Sequence, residues 1–113
     1  MAFVLKQSDT YSWPVTFEIP VDGRHESQSF DAVFKRMSQT WIRDIAKKID
    51  EGKTSDIEVA KQAMAGWSGV NDAQGKEILF SIKALETMLD IPSVAGAVVL
   101  AYFSSITGAK EKN

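Results

Sequence analysis

The chain has 113 residues, 44% hydrophobic and 25% charged, with no cysteine and a formal net charge of −2 at pH 7. That is the size and balance of one globular domain with a single core, stable by roughly 5–15 kcal/mol without a disulfide or metal staple. The mixed charges argue against a nucleic-acid partner, because Lys47-Lys48 and Lys110-Glu111-Lys112 have acids close by and form no basic stripe to neutralise phosphates.

The first third reads as strands. Phe3-Val4-Leu5 is a short β-prone run closed by the turn formers Ser8-Asp9-Thr10. In Trp13–Pro20, Val15, Phe17 and Ile19 alternate with Thr16 and Glu18, which predicts a half-buried strand bracketed by Pro14 and Pro20. Asp22-Gly23 suits a primed hairpin turn, which needs positive φ at both central positions. Beyond it Phe30, Ala32 and Phe34 alternate with Ser29, Asp31, Val33 and Lys35, giving a third strand and an antiparallel meander.

From Ser38 the period becomes helical. Ile42, Ile45 and Ile49 share a stripe with Trp41 beside it, and Gly52 marks the end. Ser55, with Glu58 three residues on, reads as a capping box for a second helix carrying Ile57, Ala60, Met64 and Trp67. Gly66, Gly69, Asn71 and Gly75 open a loop, and Ile78-Leu79-Phe80 leads out of it. Ser81 caps a third helix with Ile82, Leu85, Met88 and Leu89, and Pro92 lies in the first turn of a fourth. The expectation is an α+β domain over 1–113, strand-rich over 1–37, with about four helices over 38–108 and a flexible tail over 109–113.

No catalytic, cofactor or metal site is expected. His25 is the one histidine, and with no cysteine it lacks the partners of a zinc site. Gly66-Trp67-Ser68-Gly69 has a nucleophile-elbow flavour, yet it follows a helix where the elbow needs a strand. Asn71-Asp72-Ala73-Gln74-Gly75 lacks the alternating oxygen ligands and closing glutamate of a calcium loop. The amino-terminus has no basic region followed by a long apolar run, so no signal peptide is expected. The longest apolar run, Val94 to Phe103, is well short of the roughly 20 residues of a membrane span. The absence of cysteine fits a reducing cytoplasm.

That apolar run defines the feature that asks for a partner. A surface helix needs one polar face, and this one has none. Either the sheet and the other helices enclose it, or part of it is exposed and marks a protein contact. Physics alone leaves both open.

The segment Gly66 to Gly75, then Ile78-Leu79-Phe80-Ser81, Leu85 to Leu89, Ile91-Pro92-Ser93-Val94 and Ala101-Tyr102, resembles tail assembly chaperones of long-tailed bacteriophages. The likeness covers about a third of the chain and is looser around Phe30 to Phe34. It implies a non-enzymatic protein that coats the tape-measure protein, recruits tail tube subunits, and leaves before the tail is finished. It further implies a location in the cytoplasm of an infected or lysogenic bacterium, and absence from the mature virion. Trp67, Val98, Tyr102 and Phe103 are the candidate partner-binding residues, with a core role as the alternative for each, and the fourth helix is a candidate for self-association. The competing reading is a structural virion component such as a tail-completion or head–tail connector protein.

Overall fold

A computed structural model describes residues 2–108. A three-stranded antiparallel sheet in the order β1-β2-β3 packs against helices, an α+β arrangement. Strand β1 (Thr10–Val21) and strand β2 (Arg24–Lys35) form a hairpin paired from Thr10↔Lys35 to Val21↔Arg24. Asp22 and Gly23 close it with φ of 45° and 81°, the positive pair that a two-residue primed turn requires. Twelve residues of strand span about 40 Å, so the hairpin accounts for most of the 47 Å long axis.

Alternation holds along β1, where Tyr11, Trp13, Val15, Phe17 and Ile19 are at least half-buried and their neighbours are exposed. Phe30, Ala32 and Phe34 continue that inner face across β2. The carbonyl of Glu18 accepts from Ser93 Oγ at 3.2 Å, so the even-numbered backbone groups of β1 point away from β2. Pro14 and Pro20 are among them, which removes two donors from this outer edge and discourages strand addition there.

The run Phe3-Val4-Leu5 is not a strand. After the rung from Arg36 N–H to Asp9 O at 2.9 Å, β2 gives way to the helix capped by Ser38, which leaves residues 3–5 no strand to pair with. The third strand is β3 (Met64–Ser68), reached through two helices. Helix α1 (Gln39–Asp50) starts at Ser38, whose Oγ accepts from Trp41 N–H at 3.1 Å, and Gly52 follows it with φ of 71°. Helix α2 (Asp56–Ala63) starts at Ser55, whose Oγ accepts from Glu58 N–H at 3.2 Å. It ends four residues before Trp67, so Met64 and Trp67 belong to the sheet and not to a helical stripe. The division into a strand-rich 1–37 and a helical 38–108 is therefore interrupted by β3.

Helix α3 (Ile82–Leu89) is capped by Ser81, whose Oγ accepts from Ala84 N–H at 3.0 Å, and it buries Leu85 and Leu89. Helix α4 (Val94–Thr107) begins after Ser93, which holds φ of 76°, so Pro92 precedes the cap instead of lying in the first turn. The expected tail over 109–113 lies outside the described residues.

Helix α4 is the centre of the packing. Val94, Ala95, Val98, Ala101 and Tyr102 join the sheet's inner face and Ala60, Ala63, Leu85 and Leu89 in one cluster. A smaller cluster, Ile45, Val59 and Val99 with Trp41, Ile49 and Phe103, fastens α1 to α2 and α4. A small protein can enclose an apolar helix in this way because it supplies a sheet below and helices on the flanks. The open part of α4 is narrow and centres on Leu100, 61% exposed. Among the described residues no single helix is long and apolar enough to cross a membrane.

Candidate functional site

The four candidate residues separate by burial. Val98 and Tyr102 are 0% and 1% exposed and take the core role in this fold, which removes them as a surface for a partner. Tyr102 stacks edge-on against Phe34 at 5.0 Å between ring centroids, and its hydroxyl donates to Lys35 O at 3.3 Å. Burial, with Tyr11 nearby, pushes that hydroxyl up to about 12. Phe103 is half-buried against the small cluster beside α1.

Trp67 is the candidate that meets an open surface. It lines a groove of about 390 Å³ together with Val70, Ile78, Ala84, Met88 and Ile91. One wall is the loop after β3, pinned by Ile78 N–H to Val70 O at 2.8 Å and by Asp72 N–H to Lys76 O at 2.8 Å. Gly69 starts this loop with φ of 80°, a conformation that side chains resist. The other wall is α3 and its end, where Ala84, Thr87, Met88 and Ile91 follow the i, i+3, i+4, i+7 spacing of one helical face. The indole Nε1–H donates to Ile78 O at 2.8 Å, and the ring meets Phe80 edge-on at 5.1 Å. Trp67 is thus a fixed part of the groove, tying β3 to its loop wall.

The sequence singles out Trp67 but not Val70, Ile78 and Ile91, because all three lie in connecting segments where no period marks a face, Ile78 at the head of the short run Ile78-Leu79-Phe80. The spacing of Ala84, Met88 and Ile91 was available as a second face of α3, opposite in role to the buried Leu85 and Leu89. A larger hollow of about 700 Å³ lies elsewhere, between Tyr11, Trp13, Met37 and Tyr102, and is edged by Gln7, Arg36, Gln39 and Ser105. Its polar edge and the Tyr11 hydroxyl already bound to Ser105 Oγ at 2.7 Å make it the weaker apolar dock.

Catalytic geometry is absent at the positions the sequence brought into question. Ser68 pairs with Asp31, and His25 lies six residues farther along β2, about 20 Å away, so no dyad forms. Among the described residues no group of three or more His, Asp or Glu side chains could hold a metal ion.

Fold and surface together define a small α+β protein whose distinctive feature is an apolar groove between a pinned loop and a helix. Comparisons with protein-family models, with curated proteins and with solved structures find no match.

Proposed function

We propose that this chain is a non-enzymatic tail assembly chaperone of a long-tailed bacteriophage or prophage. It binds the tape-measure protein in the cytoplasm of the infected or lysogenic bacterium, helps recruit tail tube subunits, and is absent from the finished virion. The reading rests on the ordered resemblance from Gly66 to Tyr102. The observation on the surface that supports it is the Trp67 groove, because that stretch forms both of its walls. An apolar channel beside a helix accepts the apolar stripe of an amphipathic partner helix, the form expected of a long tape-measure segment. In this reading Trp67, Met88 and Ile91 meet the partner and Phe103 is a secondary contact.

The test is co-expression with the tape-measure protein encoded beside it, followed by pull-down through a tag on this chain. The expected result is a tape measure that becomes soluble and co-purifies, and that is lost when Met88→Lys charges the groove. A folded chain that leaves the tape measure insoluble and unbound overturns the proposal. Recovery of the chain from purified particles would then favour the virion-component reading.

A further inference from the structure

We propose that the hollow beside Arg36 is a binding site for a small carboxylate carried on an apolar body. It lies at the open end of the β1–β2 hairpin, between Tyr11 and Trp13 of the sheet, the first turn of α1 and the last turn of α4. Its volume of about 700 Å³ falls within the range of small-molecule sites. It shares no lining residue with the Trp67 groove, so the site does not depend on the tape-measure reading.

Part of the wall is ready for an apolar body. Trp13, Met37, Ile42 and Ile106 supply aromatic and aliphatic surface. The tyrosine hydroxyls beside them are already committed. Ser105 Oγ donates to Tyr102 O at 2.6 Å, so the Tyr11 hydroxyl is the donor in its 2.7 Å contact with Ser105 Oγ. The Tyr102 hydroxyl donates to Lys35 O at 3.3 Å. An apolar group can cover this wall without stranding either hydroxyl, which avoids the main cost of burying polar atoms.

The rim has donors in need of an acceptor. The Arg36 backbone N–H bonds Asp9 O at 2.9 Å, its Nε donates to Ser8 Oγ at 3.4 Å, and its guanidinium carbon lies 4.8 Å from the centre of the Tyr11 ring. These contacts hold the guanidinium in place, yet its terminal nitrogens make no hydrogen bond or ion pair among the described residues. The Trp13 indole N–H also has no acceptor among them, in contrast to Trp67, whose indole is bonded to Ile78 O. Arg36 is the one charged side chain among the residues lining the hollow, and no carboxylate joins it there. An unpaired guanidinium offers parallel N–H groups to the two oxygens of a carboxylate. A single cation matches a monoanion, whereas a doubly charged phosphate would be half neutralised. Because the fork is already held, little freedom is lost when it binds.

Titration of the full nitrogen-labelled chain with phenylpropionate, followed by NMR, provides the test, with uncharged phenylpropionamide as the matched control. The chain has three tryptophans, so its indole N–H signals report separately on the two hollows once Trp13→Phe identifies one of them. The Trp13 signal is expected to move with phenylpropionate and saturate at millimolar concentration, while the Trp67 signal stays in place. The amide should bind about tenfold more weakly, the part of the affinity that a charge-assisted pair supplies. Arg36→Gln, confirmed to melt as the wild type does, should bind acid and amide alike. A Trp13 signal that does not move overturns the proposal, as does an amide that binds as tightly as the acid to the wild type. Retention of the acid's advantage in Arg36→Gln overturns it too, and so does a Trp67 signal that moves with the same midpoint, which would place the ligand in the other groove.

Discussion

Val98→Asp and Leu100→Asp put the same charge two residues apart on α4, and the fold requires opposite outcomes. Val98 is wholly buried, so its loss removes roughly 1.5–3 kcal/mol of apolar burial. A carboxylate left there without a partner adds several kcal/mol more, either as desolvated charge or as the cost of staying protonated. The total, above about 5 kcal/mol, approaches the whole stability of a domain this size. Leu100 is 61% exposed, and Asp there costs the usual surface increment plus about 0.7 kcal/mol of helix propensity. At about 4 °C per kcal/mol, Leu100→Asp should melt within about 5 °C of the wild type, whereas Val98→Asp should show no cooperative transition. Circular dichroism melts of both proteins, with urea titration of any folded variant, provide the comparison. If Val98→Asp melted as the wild type does, α4 could not be the central helix and the description of the core would be refuted.

Three further perturbations address single contacts. The Tyr102 hydroxyl, raised to about 12 by burial, keeps its proton while an unfolded tyrosine near 10 loses it. Stability is therefore intact below pH 10 and falls by about 2–3 kcal/mol as pH approaches 12; urea midpoints of Tyr102→Phe should lack this part of the decline. Tyr11→Phe removes the hydroxyl contact to Ser105 and should cost about 0.5–1.5 kcal/mol by urea unfolding at neutral pH. Gly69→Ala forces a side chain onto φ of 80° and should cost about 1–2 kcal/mol, read from the same urea titration.

Much of the architecture was legible because single periods and single caps govern it. The alternation of Val15, Phe17 and Ile19 fixed an inner face that the structure keeps, and the pair Asp22-Gly23 adopts the positive φ values its chemistry favours. Ser38, Ser55 and Ser81 each accept the backbone N–H three residues on, so three helix starts were readable from one side chain apiece. The Phe3-Val4-Leu5 run misled because strand propensity says nothing about a partner, and β2 ends before it could supply one. Burial of α4 was not decidable from its composition, since an apolar helix fits a core and an interface equally well. Tyr102 resolves it, lying between Phe34 and Trp41 with ring centroids 5.0 and 6.2 Å away.

The misreading of Met64 and Trp67 has a specific cause that bears on the groove. Two inward residues of a regular strand are two apart, and two residues three apart suggest a helix. Here Phe34 pairs with Met64, Val33 with Gly66 and Ala32 with Trp67, with the register shifting between Val33 and Phe34. One extra residue, the exposed Ala65, is absorbed there as a bulge, so Met64 and Trp67 face the same side despite a helical spacing. A bulge also bends the strand that carries it, re-aiming the side chains beyond. Trp67 lies just past the bulge, where its indole reaches Ile78 O and closes the loop wall. Without the added residue, a regular continuation would turn position 67 to the opposite face of the sheet. The irregularity that hid this strand from a periodic reading is thus the one that brings Trp67 to the groove.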